Sequence, residues 1–256
     1  MRHRFPSDDG PIPVLDGIDA DIAPGEFVSL VGPSGCGKTT LMNMVAGLVK
    51  PSEGEVLLNG VESRQPSRSV GYMFARDRLM PWRTALGNVE FGPEVRGVPL
   101  KQRRQRAREM LALVGLAGFE DAYPAELSQG MRQRVAMART LIIDPSVMLL
   151  DEPFAALDAQ TRTLLQREFL RIWTQFRPTV LFVTHDLEEA VFLADRVLVM
   201  SARPGRIKAE FRVPIPRPRD VAEMKFDEEA RRIAREVWSV LKDEVVLGDG
   251  AQEDAT

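Results

Sequence analysis

The eight residues that decide the fold read Gly32-Pro33-Ser34-Gly35-Cys36-Gly37-Lys38-Thr39. They fit the pattern G-x-x-x-x-G-K-S/T, and they lie between a predicted strand, Glu26–Val31, and a predicted helix, Thr39–Ala46. In this setting the glycines let successive backbone N–H groups face the phosphates of a nucleotide, and the helix N-terminus adds positive potential. Lys38 would reach the β- and γ-phosphate oxygens, while Thr39 would offer its hydroxyl to Mg²⁺. We therefore predict that these eight residues and the adjacent Thr40 bind nucleotide.

A second segment, Val147-Met148-Leu149-Leu150-Asp151-Glu152, is an apolar strand that ends in two carboxylates. Ligands of an open parallel sheet bind at the carboxyl ends of its strands. Asp151 would hold Mg²⁺ through a water molecule, and Glu152 would polarise the water that attacks the nucleotide. An acidic pair after a strand is also common at the start of a helix. The catalytic interpretation depends on the presence of the phosphate-binding loop.

His185 is one of two histidines and lies in Thr184-His185-Asp186, directly after a predicted strand, Thr179–Val183. A lone histidine is more often structural than catalytic. Its position after a core strand would place it at the same edge of the sheet as the loop and the two carboxylates. We therefore predict that His185 contacts the γ-phosphate.

Composition excludes several classes of protein. The 256 residues carry a formal net charge of −3 and are 44% hydrophobic, which is typical of a globular protein. The apolar runs are too short to span a membrane, so membrane association would require a partner. A basic run in a helical stretch is best interpreted as a solvated face, and we expect no nucleic-acid partner; it comprises Lys101, Arg103, Arg104, Arg106 and Arg108. The single cysteine, Cys36, and the lack of a secretory signal indicate a reducing cytoplasm.

Strand and helix patterns alternate along the chain, which predicts an α/β fold with a mostly parallel sheet core. From about residue 86 to residue 141 the pattern is helical and predicts an insertion. Pro204-Gly205 lies between two strand-like runs and indicates a turn, and an amphipathic helix is predicted near residues 227–241. We expect a single domain over residues 1–247, with a C-terminal helical extension over about 220–247, and a flexible tail over 248–256.

The segment Leu127-Ser128-Gln129-Gly130 resembles the signature motif of the ABC ATPases, with Gln129 where glycine is usual. Ala155-Ala156-Leu157-Asp158 resembles the D-loop of that family, and Phe5 is the candidate for the aromatic residue that stacks on adenine. The resemblance implies the P-loop NTPase (RecA-like) fold, with an antiparallel β portion beside the parallel sheet. It also implies ATP and Mg²⁺ as cofactors, with Ser128, Gln129, Gly130 and Asp158 at the nucleotide.

The same resemblance implies partners. In ABC proteins the signature contacts the nucleotide that the other subunit holds, so we expect a head-to-tail pair, most simply a homodimer, around two ATP molecules. Three further segments are similar to the nitrate, sulfonate and taurine importer ATPases: Leu79–Thr84, Ser201–Arg206 and Pro216–Arg219. That similarity implies two transmembrane permease subunits, contacted by the helical insertion including Trp82, and an external binding protein for a small anionic solute. The chain would then lie at the cytoplasmic face of the inner membrane.

One residue departs from the family pattern. After the predicted strand Val70–Phe74, ABC ATPases usually carry a glutamine that reaches Mg²⁺ and the attacking water, whereas this chain has Ala75. A water molecule could fill the position, Asp77 could bend in, or hydrolysis could be slower and coupled differently to the membrane subunits. Our hypothesis is a water-filled position with a modest loss of rate.

Two other functions remain open at this point. A soluble ABC ATPase of DNA repair or of the ribosome is one, although such proteins carry long coiled coils or tandem ATPase domains that this chain lacks. A regulatory subunit that binds ATP but scarcely hydrolyses it is the other. If Cys36 lies within a nucleotide site, we also expect ATP to slow its alkylation.

Overall fold

The computed structural model describes residues 1–8 and 10–253, with side chains up to residue 246. Contacts divide the chain into two compact units. The first unit is discontinuous and takes the residues before Arg68 and those after Pro178, and the second unit is Arg68–Pro178. Among the described helices, none is long and apolar enough to cross a lipid bilayer.

The elements are numbered here in chain order. The strands are β1 (His3–Phe5), β2 (Ile12–Leu15), β3 (Phe27–Val31), β4 (Leu57–Leu58), β5 (Val61–Glu62), β6 (Val70–Met73), β7 (Val147–Asp151), β8 (Thr179–Val183), β9 (Arg196–Met200) and β10 (Ile207–Arg212). The α-helices are α1 (Lys38–Val45), α2 (Ala85–Val89), α3 (Phe91–Val95), α4 (Leu100–Leu113), α5 (Gln129–Leu141), α6 (Ala159–Phe176), α7 (Leu187–Leu193), α8 (Val221–Met224) and α9 (Glu228–Glu253).

The first unit is built around β3. This strand is parallel to β8 on one side and to β9 on the other, and β10 pairs antiparallel with β9. Every residue of β3 is buried, and a strand covered on both faces is expected to be a continuous apolar run. Two short antiparallel pairs, β1 with β2 and β4 with β5, complete the β structure of this unit. The predicted combination of parallel and antiparallel strands is confirmed.

The two residues Asn59-Gly60 form the turn that joins β4 to β5. Both residues have positive φ, 52° and 77°. Two consecutive left-handed residues are what a tight two-residue hairpin requires, and Asn-Gly is the pair that tolerates them best. By contrast, the sequence patterns do not predict the β1–β2 hairpin.

The segment Pro216–Arg219 closes the C-terminal end of α7. Arg219 is 8% exposed, and its guanidinium donates to the carbonyl oxygens of Ala194 at 2.6 Å and of Val191 and Phe192 at 3.4 Å. The last carbonyls of a helix have no partner within the helix, and a cation is favoured there by the helix dipole. Burial lowers the pKa of Arg219 to about 10, so its charge persists at neutral pH.

The second unit contains the parallel pair β6–β7 and helices α2 to α6. The predicted helical stretch over residues 86–141 corresponds to α2–α5, with a 3₁₀ turn at Pro124–Glu126. Pro99 lies at the start of α4 as its N-cap residue, so it separates α4 from the preceding helix.

Ion pairs engage several cations of the basic run in α4. Arg103 lies 3.5 Å from Glu90 and 3.3 Å from Glu94, and Arg106 lies 2.6 Å from Asp144. Charges already paired within their own unit are poor candidates for phosphate contacts. The geometry supports the interpretation of this run as a helix face.

The C-terminal helix is longer than predicted. The amphipathic helix is predicted near residues 227–241, and α9 extends beyond it to Glu253, while the flexible tail expected over residues 248–256 stays a prediction. Residues 254–256 of that expected tail lie outside the described residues. The glycines at 248 and 250 favour a break only locally, and the helix continues past them.

Candidate functional site

The phosphate loop, defined as residues 32–39, connects the end of β3 to the start of α1. Gly35 and Gly37 have φ values of 74° and 105°, which residues with a side chain rarely adopt. A Cβ built on Gly37 would also lie 2.6 Å from Cδ2 of Leu15. Position 37 therefore requires glycine for both its conformation and its space.

Lys38 is the first residue of α1 and is 6% exposed. Its Nζ donates to the carbonyl oxygens of Gly32 and Pro33, each at 2.8 Å. These bonds hold the ammonium group inside the curve of the loop, beside the N-terminus of α1. A full positive charge and a helix N-terminus at one place form an anion-binding arrangement.

Cys36 corrects one expectation. The residue is completely buried, with Sγ 3.8 Å from Nζ of Lys38. Burial raises the pKa of the thiol, and the neighbouring charge of Lys38 only partly opposes this effect. A buried, protonated thiol reacts slowly with alkylating reagents. Protection of Cys36 is therefore no test for nucleotide, because the protein itself already shields the sulfur.

His185 comes just after the strand that the sequence predicts over Thr179–Val183, and its contact with the γ-phosphate stays a prediction. It follows β8, and β8 is hydrogen-bonded to β3 with Val183 opposite Leu30. The phosphate loop and the exposed His185 therefore leave neighbouring parallel strands at the same edge of the sheet.

The residues around His185 are firmly held. Thr184 Oγ1 donates to Oε2 of Glu189 at 2.6 Å, and both residues are buried. Asp186 caps α7, since its Oδ1 accepts from the backbone N–H groups of Glu188 and Glu189 at 2.9 and 3.2 Å. Glu189 was not among the predicted site residues. Its signal was present, because an N-cap residue followed three positions later by glutamate is a helix-start pattern.

Phe5 is the last residue of β1 and is 40% exposed. Its ring meets that of His3 edge to face, with the centroids 4.5 Å apart. The same hairpin carries Val14 and Leu15, the residues that leave no space beside Gly37. The candidate adenine-stacking ring thus belongs to the hairpin that packs on the phosphate loop, and its role stays a prediction.

In the second unit, Asp151 and Glu152 are half-buried at the end of β7. Glu152 has a φ of 49°, a left-handed conformation that costs a non-glycine residue about 1–2 kcal/mol. Such strain is concentrated at functional sites, where it aims a side chain. Asp151 also influences Tyr72, whose pKa is raised by burial and further by the charge of this carboxylate.

The signature residues begin α5. Ser128 is the N-cap residue, and its Oγ accepts from the backbone N–H of Met131 at 3.3 Å, while Gln129 is exposed. A Cβ built on Gly130 would lie 2.8 Å from Cγ2 of Thr161, so glycine permits close packing there.

Asp158 of the D-loop-like segment has a structural role within its own chain. Its Oδ1 accepts from the backbone N–H groups of Gln160 and Thr161 at 3.1 and 3.0 Å, and it caps α6. These hydrogen bonds, led by those from Thr161, lower the pKa of the carboxyl.

Ala75 lines a pocket of about 440 Å³ within the second unit. The other lining residues are Arg76, Asp77, Arg78, Gln129, Gln133 and Ala156. Gln133 donates through Nε2 to the carbonyl oxygen of Ala75 at 3.3 Å, and its buried Oε1 has no hydrogen-bond partner.

The side chain of Asp77 is already engaged. Its Oδ1 accepts from the backbone N–H of Leu79 at 3.2 Å, and its Oδ2 lies 3.0 Å from Nε of Arg132. The possibility that Asp77 bends in to replace the missing glutamine would require both interactions to break. The structure therefore favours the other two possibilities for position 75.

The predicted Mg²⁺ ligands match the chemistry of that ion. Mg²⁺ prefers oxygen donors, keeps several waters and uses few protein side chains besides the phosphates. Thr39 supplies a hydroxyl in the first turn of α1, and Asp151 supplies a carboxylate at the end of β7. Each donor by itself is of a kind that Mg²⁺ binds, and their use as ligands stays a prediction.

Comparison with known proteins shows to which family the chain belongs. The family described as "ABC transporter" matches residues 15–155, more than half of the chain. The chain belongs to the ABC transporter family. It is 52% identical over 235 residues to an uncharacterized ABC transporter ATP-binding protein of Methanocaldococcus jannaschii, covering 92% of this chain and 86% of the relative. The predicted ABC ATPase is thereby confirmed.

Other relatives and solved structures agree with this assignment. The chain is 41% identical to the aliphatic sulfonates import ATP-binding protein SsuB of Bacillus cereus, covering 91% of each. It also resembles a dimeric ATP-binding cassette in a post-hydrolysis state bound to ADP and Pi. The identity is 31%, the TM-score is 0.74, and the match covers 84% of this chain and 97% of that one. The ABC ATPase fold predicted for the chain is confirmed.

Proposed function

We propose that this ABC ATPase binds and hydrolyses ATP as the peripheral subunit of an importer, which takes up a small anionic solute such as a sulfonate. The observation that carries the proposal is the phosphate loop, in which Gly35 and Gly37 are left-handed and the carbonyl oxygens of Gly32 and Pro33 hold the ammonium group of Lys38. Similarity to SsuB supports the sulfonate class of solute.

Within this proposal each residue has a defined task. Lys38 and the loop N–H groups bind the phosphates, and His185 contacts the γ-phosphate from the neighbouring strand. Thr39 and Asp151 would hold Mg²⁺, which when bound neutralises charge on the phosphates. Glu152 orients and polarises the attacking water, and its left-handed backbone is the feature that supports this role.

The proposal includes a second copy of the chain. Ser128 and Gly130, at the exposed start of α5, would contact nucleotide held by the partner copy, and Asp158 would lie at the same interface. The dimeric state of the similar cassettes supports this arrangement. Two permease subunits would contact the helical region of the second unit, where the residue Trp82 is 74% exposed.

The test compares the wild type with Lys38→Ala and Glu152→Gln in the purified full-length chain. Lys38→Ala should abolish binding of a fluorescent ATP analogue. Glu152→Gln should bind it normally but hydrolyse ATP at least about 100-fold more slowly. Normal nucleotide binding by Lys38→Ala would refute the site assignment.

Ala75 favours a second candidate, a regulatory subunit that binds ATP but scarcely turns it over. The rate of the wild type relative to Glu152→Gln separates the two functions. If both proteins hydrolyse ATP equally slowly when assembled with the permease subunits, the regulatory function is the correct one. Uptake of labelled sulfonate, taurine and nitrate by that assembly then identifies the solute class.

A further inference from the structure

We propose that Glu244, on the C-terminal helix α9, is a positioning residue for the phosphate loop. It would set nucleotide affinity through the turn Ser201–Arg206, although it lies outside every motif of the site. The inference rests on the proposed role of the phosphate loop.

The first step is the contact between the turn and the loop. A Cβ built on Gly205 would lie 2.1 Å from the carbonyl oxygen of Cys36, so the backbone of the turn presses directly on the backbone of the loop. Met200, just before the turn, also packs close to Gly32, since a Cβ built there would lie 3.0 Å from Cβ of Met200. The loop therefore has little freedom to shift toward the turn.

The second step is the attachment of the turn to β2. Gly205 donates its N–H to the carbonyl oxygen of Val14 at 2.8 Å, and its own carbonyl accepts from Asp16 N–H at 3.0 Å. Val14 and Leu15 are also the residues that pack against Gly37. Turn, hairpin and loop thus form one packed layer behind the phosphate site.

The third step is the attachment of this layer to α9 through Glu244. Glu244 is 6% exposed, and its Oε2 accepts from the backbone N–H of Ala202 at 2.7 Å. Its Oε1 pairs with Lys208, which follows the turn on β10. A charged acceptor on a backbone N–H forms one of the stronger hydrogen bonds in proteins. One buried carboxylate thus fixes both sides of the turn to α9.

Loss of the Glu244 carboxylate should loosen the turn, and it should therefore also loosen the phosphate loop against which the turn packs. The site would then have to be ordered during binding, which weakens affinity without any change to a residue that touches nucleotide. Two expectations distinguish this effect from a general loss of stability. Loss of the hydrogen bond to the N–H of Ala202 should weaken binding more than loss of the ion pair with Lys208, and the loosening should be local to the phosphate loop.

The experiment measures the Kd for a fluorescent ATP analogue with Mg²⁺ in the full chain. Glu244→Leu, which leaves the Ala202 N–H without an acceptor, should raise the Kd about tenfold, equivalent to about 1.4 kcal/mol. Glu244→Gln keeps an oxygen acceptor and should raise it less. Lys208→Met is the matched control, because it removes the ion pair but keeps the carboxylate on Ala202, and its Kd should stay within about twofold of the wild type.

A Kd for Glu244→Leu within twofold of the wild type would overturn the inference, as would equal effects of Glu244→Leu and Lys208→Met. If Glu244→Leu does not fold, amide hydrogen exchange of residues 34–38 without nucleotide decides. Faster exchange in Glu244→Gln than in Lys208→Met supports the inference, and equal exchange overturns it. Lys38→Ala serves as the reference: if it binds nucleotide normally, the failure belongs to the proposed site and not to Glu244.

Discussion

Thr184 Oγ1 donates a 2.6 Å hydrogen bond to the buried Glu189, and His185 lies immediately after this threonine in the chain. The bond ties the end of β8 to the first turn of α7. It therefore fixes the short connection from which the imidazole extends.

Thr184→Val should separate this positioning role from simple stability. The variant keeps the shape of the side chain but removes the hydroxyl that donates to the buried carboxylate of Glu189, which should lower the free energy of unfolding by about 1–3 kcal/mol. Turnover should fall about tenfold, because displaced catalytic groups lose rate steeply. ATPase assays and chemical denaturation measure the two effects. Thr163→Val, whose hydroxyl donates within its own helix to Ala159 at 3.0 Å, should change neither.

Gly37→Ala should disable the phosphate loop. The new methyl group would require a left-handed alanine and would collide with Leu15, so we expect a loss of about 3 kcal/mol in unfolding free energy, together with loss of nucleotide binding. Gly60→Ala is the control, since Gly60 has a φ of 77° but nothing within 4 Å of a built Cβ. It should cost only about 1–2 kcal/mol and leave binding intact. Equal losses in both variants would show that backbone conformation alone, and not the contact with Leu15, requires Gly37.

Ala75→Gln should raise the rate of ATP hydrolysis in the assembled transporter. The pocket beside position 75 has space for the longer side chain, and we expect a gain of about two- to tenfold because the other catalytic groups are present. Ala75→Met is matched in length but has no carboxamide, so it should give no gain. An unchanged rate and an unchanged Mg²⁺ dependence in Ala75→Gln would remove the hypothesis of a modest loss.

The stability that Glu244 contributes should depend on pH. Hydrogen bonding from Lys208 is the main cause that lowers the pKa of this carboxyl from its ordinary value of 4.5. A lowered folded-state pKa means that its stabilisation is complete above that ordinary value and disappears as the pH falls through the lowered one. The wild type should exceed Glu244→Gln in unfolding free energy by about 1–3 kcal/mol at pH 7, with the gap closing below pH 4.5. A gap that is the same at pH 7 and pH 3.5 would contradict this assignment.

Local patterns explain what the sequence could predict. The loop residues 32–39, the turn at Asn59-Gly60 and the position of His185 after β8 follow from the conformation or spacing of neighbouring residues. The structural roles of Glu244 and Arg219 could not be found in this way. Their partners, Ala202 and Ala194, are 42 and 25 positions away, and no period or motif relates such pairs.

Sequence patterns also do not reveal the structural role of residues whose side chains could serve either a helix cap or a binding site. Ser128 and Asp158 match family motifs, yet within this chain both are N-caps of helices, and a sequence match cannot show that. Cys36 lies in the loop by sequence, but its complete burial depends on packing. The backbone of α9 continues past the glycines at positions 248 and 250, which a local sequence pattern does not predict.

The discontinuity of the first unit has a consequence for protein synthesis. β3 and the phosphate loop leave the ribosome early, but β8 and β9, which flank β3, follow only after the whole second unit. The turn that supports the loop follows later still, and the guanidinium that closes α7 arrives with residue 219. A nascent chain therefore carries the complete nucleotide motif long before it can hold that motif in shape. Competence to bind nucleotide should therefore be acquired only after residue 219 has been synthesised.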